Sequence, residues 1–204
     1  MNRIQVQNVS KSFKKVSALN NVSFDFMPGI LHGIIGPEGA GKTTLMRLIL
    51  GLLKPDSGQI KFECNNTDIA YMPGQQSLYP DLSIEEHLDF FKELYGIPKD
   101  LYEQKRQELL HMTRLTEFVD RPAGKLSGGM YKKLGLMCAL LRSPQIILLD
   151  EPTNGIDPIS RREFWNLLYK LADQNILILL TTAYIGDAER CGQVHLIEKG
   201  EVIV

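Results

Sequence analysis

The stretch GPEGAGKTT, residues 36–44, limits what this chain can fold into more than any other part of the sequence. It follows an apolar run typical of a strand, residues 31–35, and opens a helical pattern over residues 45–50. Strand, glycine-rich loop and helix form the setting of a phosphate-binding P-loop, and the spacing of Gly36, Gly41, Lys42 and Thr43 fits that motif in full. The alternative is a glycine-rich turn that binds nothing, which the Lys-Thr pair and the flanking elements disfavour.

The residue types in this loop explain how it would hold phosphates. Its glycines let the backbone curl so that successive N–H groups point at phosphate oxygens. The helix that begins near Lys42 adds the positive end of its dipole. Lys42 is predicted to reach the β- and γ-phosphates of a nucleotide, and Thr43 to place its hydroxyl on Mg²⁺. We therefore assign nucleotide binding to the whole loop, which comprises Gly36, Pro37, Glu38, Gly39, Ala40, Gly41, Lys42, Thr43 and Thr44.

Length and charge narrow the class of protein. The chain has 204 residues, enough for one α/β domain with an inserted lobe, so we expect a single domain over residues 1–204. The 23 basic and 24 acidic residues give a net charge of −1, which argues against nucleic acid as a partner. The cysteines Cys64, Cys138 and Cys191 lack metal-binding spacing and are interpreted as reduced thiols of a cytosolic protein. The longest apolar runs fall far short of the roughly 20 residues that span a bilayer.

Apolar patterns indicate an α/β fold, a P-loop NTPase core with a mostly parallel sheet. Residues 4–10 and 22–27 alternate apolar and polar side chains, which predicts an N-terminal antiparallel β patch. The apolar runs 146–150 and 176–181 predict strands buried on both faces, and an α-helical subdomain is expected to be inserted at about residues 75–143. The remaining patterns predict short strands at 58–63 and 68–72, joined at Asn65-Asn66, and at 194–197 and 201–204. They also predict a helix at 83–95 that begins with a capping box of Ser83 and Glu86, and helices at 99–115, 128–143 and 159–174.

Two acidic residues end the buried strand at 146–150. In open α/β sheets such a strand delivers its last residues to the edge where ligands bind. Asp150 is predicted to hold Mg²⁺, directly or through water, and Glu151 to polarise an attacking water. The alternative for this pair is a solvated acidic turn.

The segment Leu126-Ser127-Gly128-Gly129-Met130 is a third motif. A serine cap followed by two glycines exposes free N–H groups and a hydroxyl at a helix start, which predicts a second anion site. Taken alone, such a segment is usually an ordinary loop.

Together these motifs resemble the nucleotide-binding subunit of ABC transporters over essentially the whole chain. GPEGAGKTT is similar to the family's Walker A motif, ILLDEP to its Walker B, and LSGGM to its signature LSGGQ. Residues 154–158 resemble the D-loop, which includes Asp157. Phe13 matches the aromatic residue that stacks on adenine, with a core phenylalanine as the alternative. Residues 79–88 look like those of exporter-type members.

The resemblance implies that the chain is an ATPase, an ATP-binding and ATP-hydrolysing subunit that drives transport through the separate membrane subunits of an ABC transporter. ATP and Mg²⁺ would be the cofactors, and two ABC domains, from the same or different chains, would pair head to tail. Ser127, Gly128 and Gly129 would then contact the γ-phosphate of ATP held by the partner domain. The helical insert would pass movement to integral membrane transporter subunits. The chain would be cytoplasmic and peripheral on the inner face of the membrane.

Two positions depart from the family pattern. Where the family places a glutamine after Tyr-x-Pro, this chain has Gly74 followed by Gln75, which looks one residue out of register. Where the family places a γ-phosphate-contacting histidine, this chain has Ala183, and its four histidines lie elsewhere. We therefore expect ATP to bind but to turn over slowly, in an asymmetric pair with an unlike ABC domain. Many relatives continue past residue 204, so the chain could also be part of a longer tandem protein.

Three other functions remain as alternatives. The first is a non-catalytic ATP-binding module that only clamps or regulates, which Gly74 and Ala183 favour and Glu151 opposes. The second is a soluble ABC protein of the translation or chromosome type, whose tandem domains, long linkers or coiled coils are not visible here. The third, a small-molecule kinase built on a P-loop, is disfavoured by the signature motif.

Overall fold

The fold is built around a six-stranded sheet, seen in a computed structural model that describes residues 3–63, 69–75 and 77–203. The strand order is β5-β6-β7-β3-β8-β9; the first five strands run parallel, and β9 is antiparallel to β8. Every residue of the three central strands is buried, which accounts for their continuous apolar runs. The strands are β3 (Leu31–Ile35), β5 (Ile69–Met72), β6 (Ile146–Asp150), β7 (Leu177–Thr182), β8 (Gln193–Glu198) and β9 (Glu201–Val202).

A second, antiparallel sheet contains the N-terminal strands. It has the order β2-β1-β4, formed by β1 (Ile4–Phe13), β2 (Val16–Phe26) and β4 (Ser57–Phe62). The predicted antiparallel patch is therefore confirmed, and its strands are longer than the alternation suggested. The strands predicted at 58–63 and 68–72 also form, but β4 pairs with β1 whereas β5 pairs with β6. Their expected junction at Asn65 and Asn66 lies outside the described residues.

Two hydrophobic cores lie on opposite faces of the large sheet. Along β6, Ile146 and Leu148 face one core whereas Ile147 and Leu149 face the other, as the twofold side-chain period of a strand requires. The first core is closed by α1 (Lys42–Ile49) and the antiparallel sheet. The second is closed by α5 (Pro158–Asp173) and by the helices inserted between β5 and β6.

The inserted helices are α2 (Ile84–Tyr95), α3 (Lys99–Thr113) and α4 (Gly128–Leu140). The predicted capping box is present, because Ser83 Oγ accepts from Glu86 N at 3.2 Å and Glu86 Oε2 accepts from Ser83 N at 2.7 Å. The short helix α6 (Ile185–Ala188) was not predicted, since four residues are too few to show a helical period. No helix in the described part of the chain combines the length and apolar character that crossing a bilayer requires.

Candidate nucleotide-binding site

A cavity of about 490 Å³ lies where the P-loop meets the carboxyl ends of β5 and β6. This is the edge at which open α/β sheets bind ligands. Seven of the nine predicted P-loop residues line the cavity; Gly36 and Pro37 instead contribute carbonyls beside it. The full lining comprises Val16, Ser17, Ala18, Glu38, Gly39, Ala40, Gly41, Lys42, Thr43, Thr44, Arg47, Tyr71, Pro73, Gly74, Gln75, Asp150, Glu151 and Asn154.

The P-loop backbone requires glycine immediately before α1. Gly41 has φ 108°, and a Cβ atom there would lie 2.3 Å from the carbonyl oxygen of Ala18. Both the backbone angle and the close approach exclude a side chain. The loop therefore enters α1 with the free N–H groups of the helix start facing the cavity, the arrangement that binds phosphate.

The ammonium of Lys42 is buried beside this loop. Its Nζ donates to the carbonyl oxygens of Gly36 at 2.7 Å and Pro37 at 3.0 Å, and it lies 3.5 Å from Oε1 of Glu151. These contacts fix a positive charge at the cavity wall. A bound phosphate would compete with neutral carbonyls for this charge, and a charged acceptor makes the stronger hydrogen bond.

Asp150 is the centre of a second group of contacts. Its Oδ2 accepts from Thr43 Oγ1 at 2.9 Å and from Tyr71 OH at 3.4 Å, and its Oδ1 accepts from Thr181 Oγ1. Burial, reinforced by the Asp150 charge, raises the pKa of Tyr71 to about 12, so the phenol remains a donor. A hydroxyl and a carboxylate are hard oxygen donors that suit Mg²⁺, which usually takes only one or two carboxylates and completes its shell with phosphate and water.

Glu151 is directed into the same cavity by an unusual backbone conformation. Its φ is 47°, a left-handed value that costs a non-glycine residue about 1–3 kcal/mol. Its N–H is held by Thr181, at 3.0 Å from the hydroxyl oxygen and 3.1 Å from the carbonyl oxygen. Asn154 Nδ2 donates to Oε2 at 3.3 Å. The carboxylate therefore lies beside both Asp150 and Lys42, where a base for water would be needed.

The loop after β5 contains Gly74 and Gln75, the two residues at the position where the family places its glutamine. A Cβ atom at Gly74 would lie 2.9 Å from the carbonyl oxygen of Asp150, so no side chain fits without a backbone shift. Gln75, the next residue, lines the cavity. That Gln75 takes the place of the family's glutamine stays a prediction.

Ala183 follows β7 and is exposed, and its methyl group offers no hydrogen-bond donor. None of the four histidines lines the cavity. His32 and His87 are fully buried within β3 and α2, and His87 Nε2 accepts from Tyr79 N at 3.0 Å. No histidine therefore takes the missing position at the cavity.

The signature residues lie away from the P-loop cavity of their own chain. Ser127 caps α4, with its Oγ accepting from Met130 N at 3.3 Å, and neither Ser127, Gly128 nor Gly129 lines that cavity. Asp157 caps α5 by accepting from the N–H groups of Ile159 and Ser160. Hydrogen bonds from Ser160 hold the pKa of Asp157 below its usual value.

Phe13 ends β1 with 45% of its surface exposed, so the core alternative is wrong. Lys11 Nζ lies 5.8 Å from its ring centroid. Phe13 is not among the cavity-lining residues, whereas Val16, Ser17 and Ala18 on the facing strand are. Its contact with adenine stays a prediction.

Sequence reasoning missed Tyr71 and Thr181 as partners of Asp150. Both lie near the carboxyl ends of strands that flank β6. Both could have been predicted as partners, because they are polar residues at the ends of predicted parallel strands.

Comparison with known proteins agrees with this geometry. The family model described as ABC transporter matches residues 19–154. The probable multidrug ABC transporter ATP-binding protein YbhF of Escherichia coli (strain K12) is 46% identical over 184 residues, covering 86% of this chain and 32% of YbhF. The Nod factor export ATP-binding protein I of Burkholderia lata is 35% identical over 211 residues, covering 98% of this chain and 69% of that protein. The chain thus spans about a third of YbhF.

Solved structures of the same kind superpose over nearly the whole chain. One is the ADP conformation of an ATP-binding cassette of an ABC transporter, with a TM-score of 0.89, 26% identity, and coverage of 100% of this chain and 90% of that one. Another is a dimeric cassette in a post-hydrolysis state bound to ADP and phosphate, with a TM-score of 0.85, 26% identity, and coverage of 98% and 97%. This chain therefore belongs to the ABC transporter family, as one of its ATP-binding domains.

Proposed function

We propose that residues 1–204 form a single domain that binds MgATP in the P-loop cavity and hydrolyses it to drive transport. The observation that carries the proposal is the convergence of Lys42, Thr43, Asp150 and Glu151 on one cavity wall. A cation, a hydroxyl and two carboxylates at this spacing are the groups that phosphoryl transfer to water requires.

Each residue has a defined part in the proposed reaction. The P-loop N–H groups and Lys42 hold the β- and γ-phosphates, and Glu151 orients and deprotonates the attacking water. Thr43 and Asp150 would hold Mg²⁺, which when bound neutralises charge on the phosphate oxygens. Phe13 would stack on the adenine. Gln75 replaces the glutamine that the family places one residue earlier.

A second ABC domain would supply the signature residues that do not reach the P-loop cavity within a single chain. Ser127 and Gly128 are exposed and do not line the P-loop cavity of their own chain, which supports contact with ATP held by a second ABC domain. One of the structurally similar ATP-binding cassettes is a dimer. Asp157 would lie in the same interface. Integral membrane subunits would carry the substrate, and this chain would lie on the cytoplasmic face of the membrane. The name of the Nod factor export relative favours export.

A second function, slow hydrolysis in one half of an asymmetric pair, is favoured by Ala183. The residue after β7 has no side-chain donor for the γ-phosphate, and losing one preorganised contact of this kind typically costs about 10²–10³-fold in rate. Under this alternative the chain holds ATP while its signature residues serve a competent partner site.

Phosphate release from MgATP separates the two functions. We would compare wild type, Ala183→His and Glu151→Gln, with Glu151→Gln as the blank. Efficient release by the wild type that Ala183→His does not increase supports an ordinary motor domain. Release near the blank that Ala183→His raises clearly supports the slow half-site. Absence of release in both, despite measured ATP binding, favours a non-catalytic module. Copurification with a polytopic membrane protein would support the transporter assignment over a soluble ABC protein.

A further inference from the structure

Lys132 lies on the signature helix α4 but contacts the loop of the P-loop cavity. Its side chain is buried, with 9% of the residue exposed, and its Nζ donates to the carbonyl oxygen of Gly74 at 3.0 Å. Gly74 in turn packs against the backbone of Asp150. A continuous path of contacts therefore runs from α4 through Gly74 to Asp150, which is proposed to help hold Mg²⁺.

The charge of Lys132 is also placed toward this site. Burial lowers the pKa of its ammonium, while the carboxylates of Glu151 and Asp150 oppose that shift. No carboxylate in residues 3–63, 69–75 and 77–203 forms an ion pair with it. Its ammonium therefore donates to a backbone carbonyl oxygen and interacts with the carboxylates of Glu151 and Asp150 by long-range electrostatics.

The neighbouring Lys133 shows that a buried lysine on α4 need not face the site. Lys133 is as well buried, at 7% exposed, but its Nζ pairs with Oε2 of Glu163 on α5 at 2.6 Å. The two lysines thus leave the same helix turn in different directions. Of these two lysines, Lys132 is the one that contacts the loop containing Gly74 and Gln75.

The position of Lys132 along α4 connects it to the signature. The helix begins at Gly128, and four residues later at about 1.5 Å per residue Lys132 lies about 6 Å along the axis. A phosphate that binds at Ser127 would act at the start of the helix that carries Lys132.

We propose that Lys132 is a positioning residue that holds the Gly74–Gln75 loop against Glu151 and transmits rearrangement of α4 to this chain's own site. The kinetic effect of Lys132 rests on the proposed ATPase function, whereas its role in holding the loop does not. It links the site that a partner's ATP would occupy with the site of this chain.

Hydrogen exchange of the nucleotide-free chain tests the structural part. We would compare Lys132→Met, Lys132→Arg and the matched control Lys133→Met. Losing a net hydrogen bond of about 1 kcal/mol should speed amide exchange in a peptide covering residues 69–75 about fivefold in Lys132→Met. Lys132→Arg should restore most of the protection, and Lys133→Met should leave this peptide unchanged. Equal exchange in Lys132→Met and wild type would overturn the proposal.

Kinetics test the transmission. In phosphate release, Lys132→Met should lower kcat about tenfold with less than a twofold change in KM, and Lys132→Arg should recover most of the rate. The same loss in Lys133→Met would indicate a general packing defect and would refute a specific role. If the wild type itself releases no phosphate, the ATPase proposal fails, and the exchange measurement still decides whether Lys132 positions the loop.

Discussion

The hydroxyl of Thr43 donates a 2.9 Å hydrogen bond to Oδ2 of Asp150, joining two residues 107 positions apart. The bond connects the start of α1 to the end of β6, so the helix and the strand hold each other at the site. Mg²⁺ prefers such oxygen atoms, and the fold places both on the wall of one cavity. The bond therefore couples the geometry of the P-loop to that of the acidic strand end.

Replacing Lys42 by methionine should weaken ATP binding while preserving the fold. Hydrogen bonds to charged groups are worth about 1.5–3 kcal/mol, so we expect a roughly 10–100-fold loss of affinity. Titration with a fluorescent ATP analogue measures it. The exposed Lys170→Met on α5 serves as control and should bind like the wild type. Unchanged affinity in Lys42→Met would rule out the assigned phosphate contact.

Gln75→Ala should reduce phosphate release by about 10²–10³-fold, because one preorganised polar contact at the reacting phosphate is lost. Gly74→Gln, which places glutamine at the family's usual position, should not rescue it. Its Cβ would lie 2.9 Å from Asp150 O, and overpacking of this kind costs about 1–3 kcal/mol, measurable by urea unfolding. Rescue by Gly74→Gln in a stable double variant would show that the structural register is wrong.

Asp187→Ala should destabilise the fold strongly. The buried carboxylate accepts from Thr153 Oγ1 at 2.6 Å, Trp165 Nε1 at 3.1 Å and Arg161 Nη2 at 2.7 Å. Arg161 is partly exposed, so the loss comes mainly from the buried donors of Thr153 and Trp165, each of which would lose its acceptor at a cost of about 1–3 kcal/mol. Urea denaturation would report this loss. The exposed Asp173→Ala should change the free energy of unfolding by less than about 0.5 kcal/mol. A loss below about 1 kcal/mol in Asp187→Ala would contradict this account.

Acid should destabilise the chain through the His32–His195 pair. Their rings stack 6.0 Å apart beside Phe24 and Phe26, and in the described residues His32 Nδ1 and His195 Nε2 lack hydrogen-bond partners. Burial first, then the charge of His32, lowers the pKa of His195 to about 4. Burial also lowers the pKa of His32. The native state therefore keeps both rings neutral.

The sign of the pH effect follows from these pKa values. Unfolded histidine has a pKa near 6.5, so between about pH 6.5 and 4 the unfolded state binds more protons. Stability should fall as pH drops through this window, by about 1–2 kcal/mol at pH 5. His195→Leu should flatten the dependence, whereas the exposed His111→Leu should retain it. Identical urea-unfolding profiles for His195→Leu and wild type would contradict the prediction.

Local chemistry made much of the fold and site predictable. The spacing of glycines before Lys42, the cap residues Ser83 and Ser127, and the apolar run ending at Asp150 each depend on neighbours within a few positions. Such signals survive in the sequence because helix starts, buried strands and phosphate loops are short-range structures. The ends of the longer helices and of the buried strands were predicted to within a few residues. The four-residue α6 is too short to show a helical period.

The sequence by itself determined the family, the order of strands and helices, and the identity of the P-loop and acidic residues. The tertiary structure decided which distant groups meet: Tyr71 and Thr181 on Asp150, Gln75 at the cavity wall, and Lys132 on Gly74. These contacts depend on the order and register of parallel strands and on how the inserted helices pack. Such contacts cannot be predicted from the residues nearby in the sequence, because they form only when separate segments bury their apolar faces together.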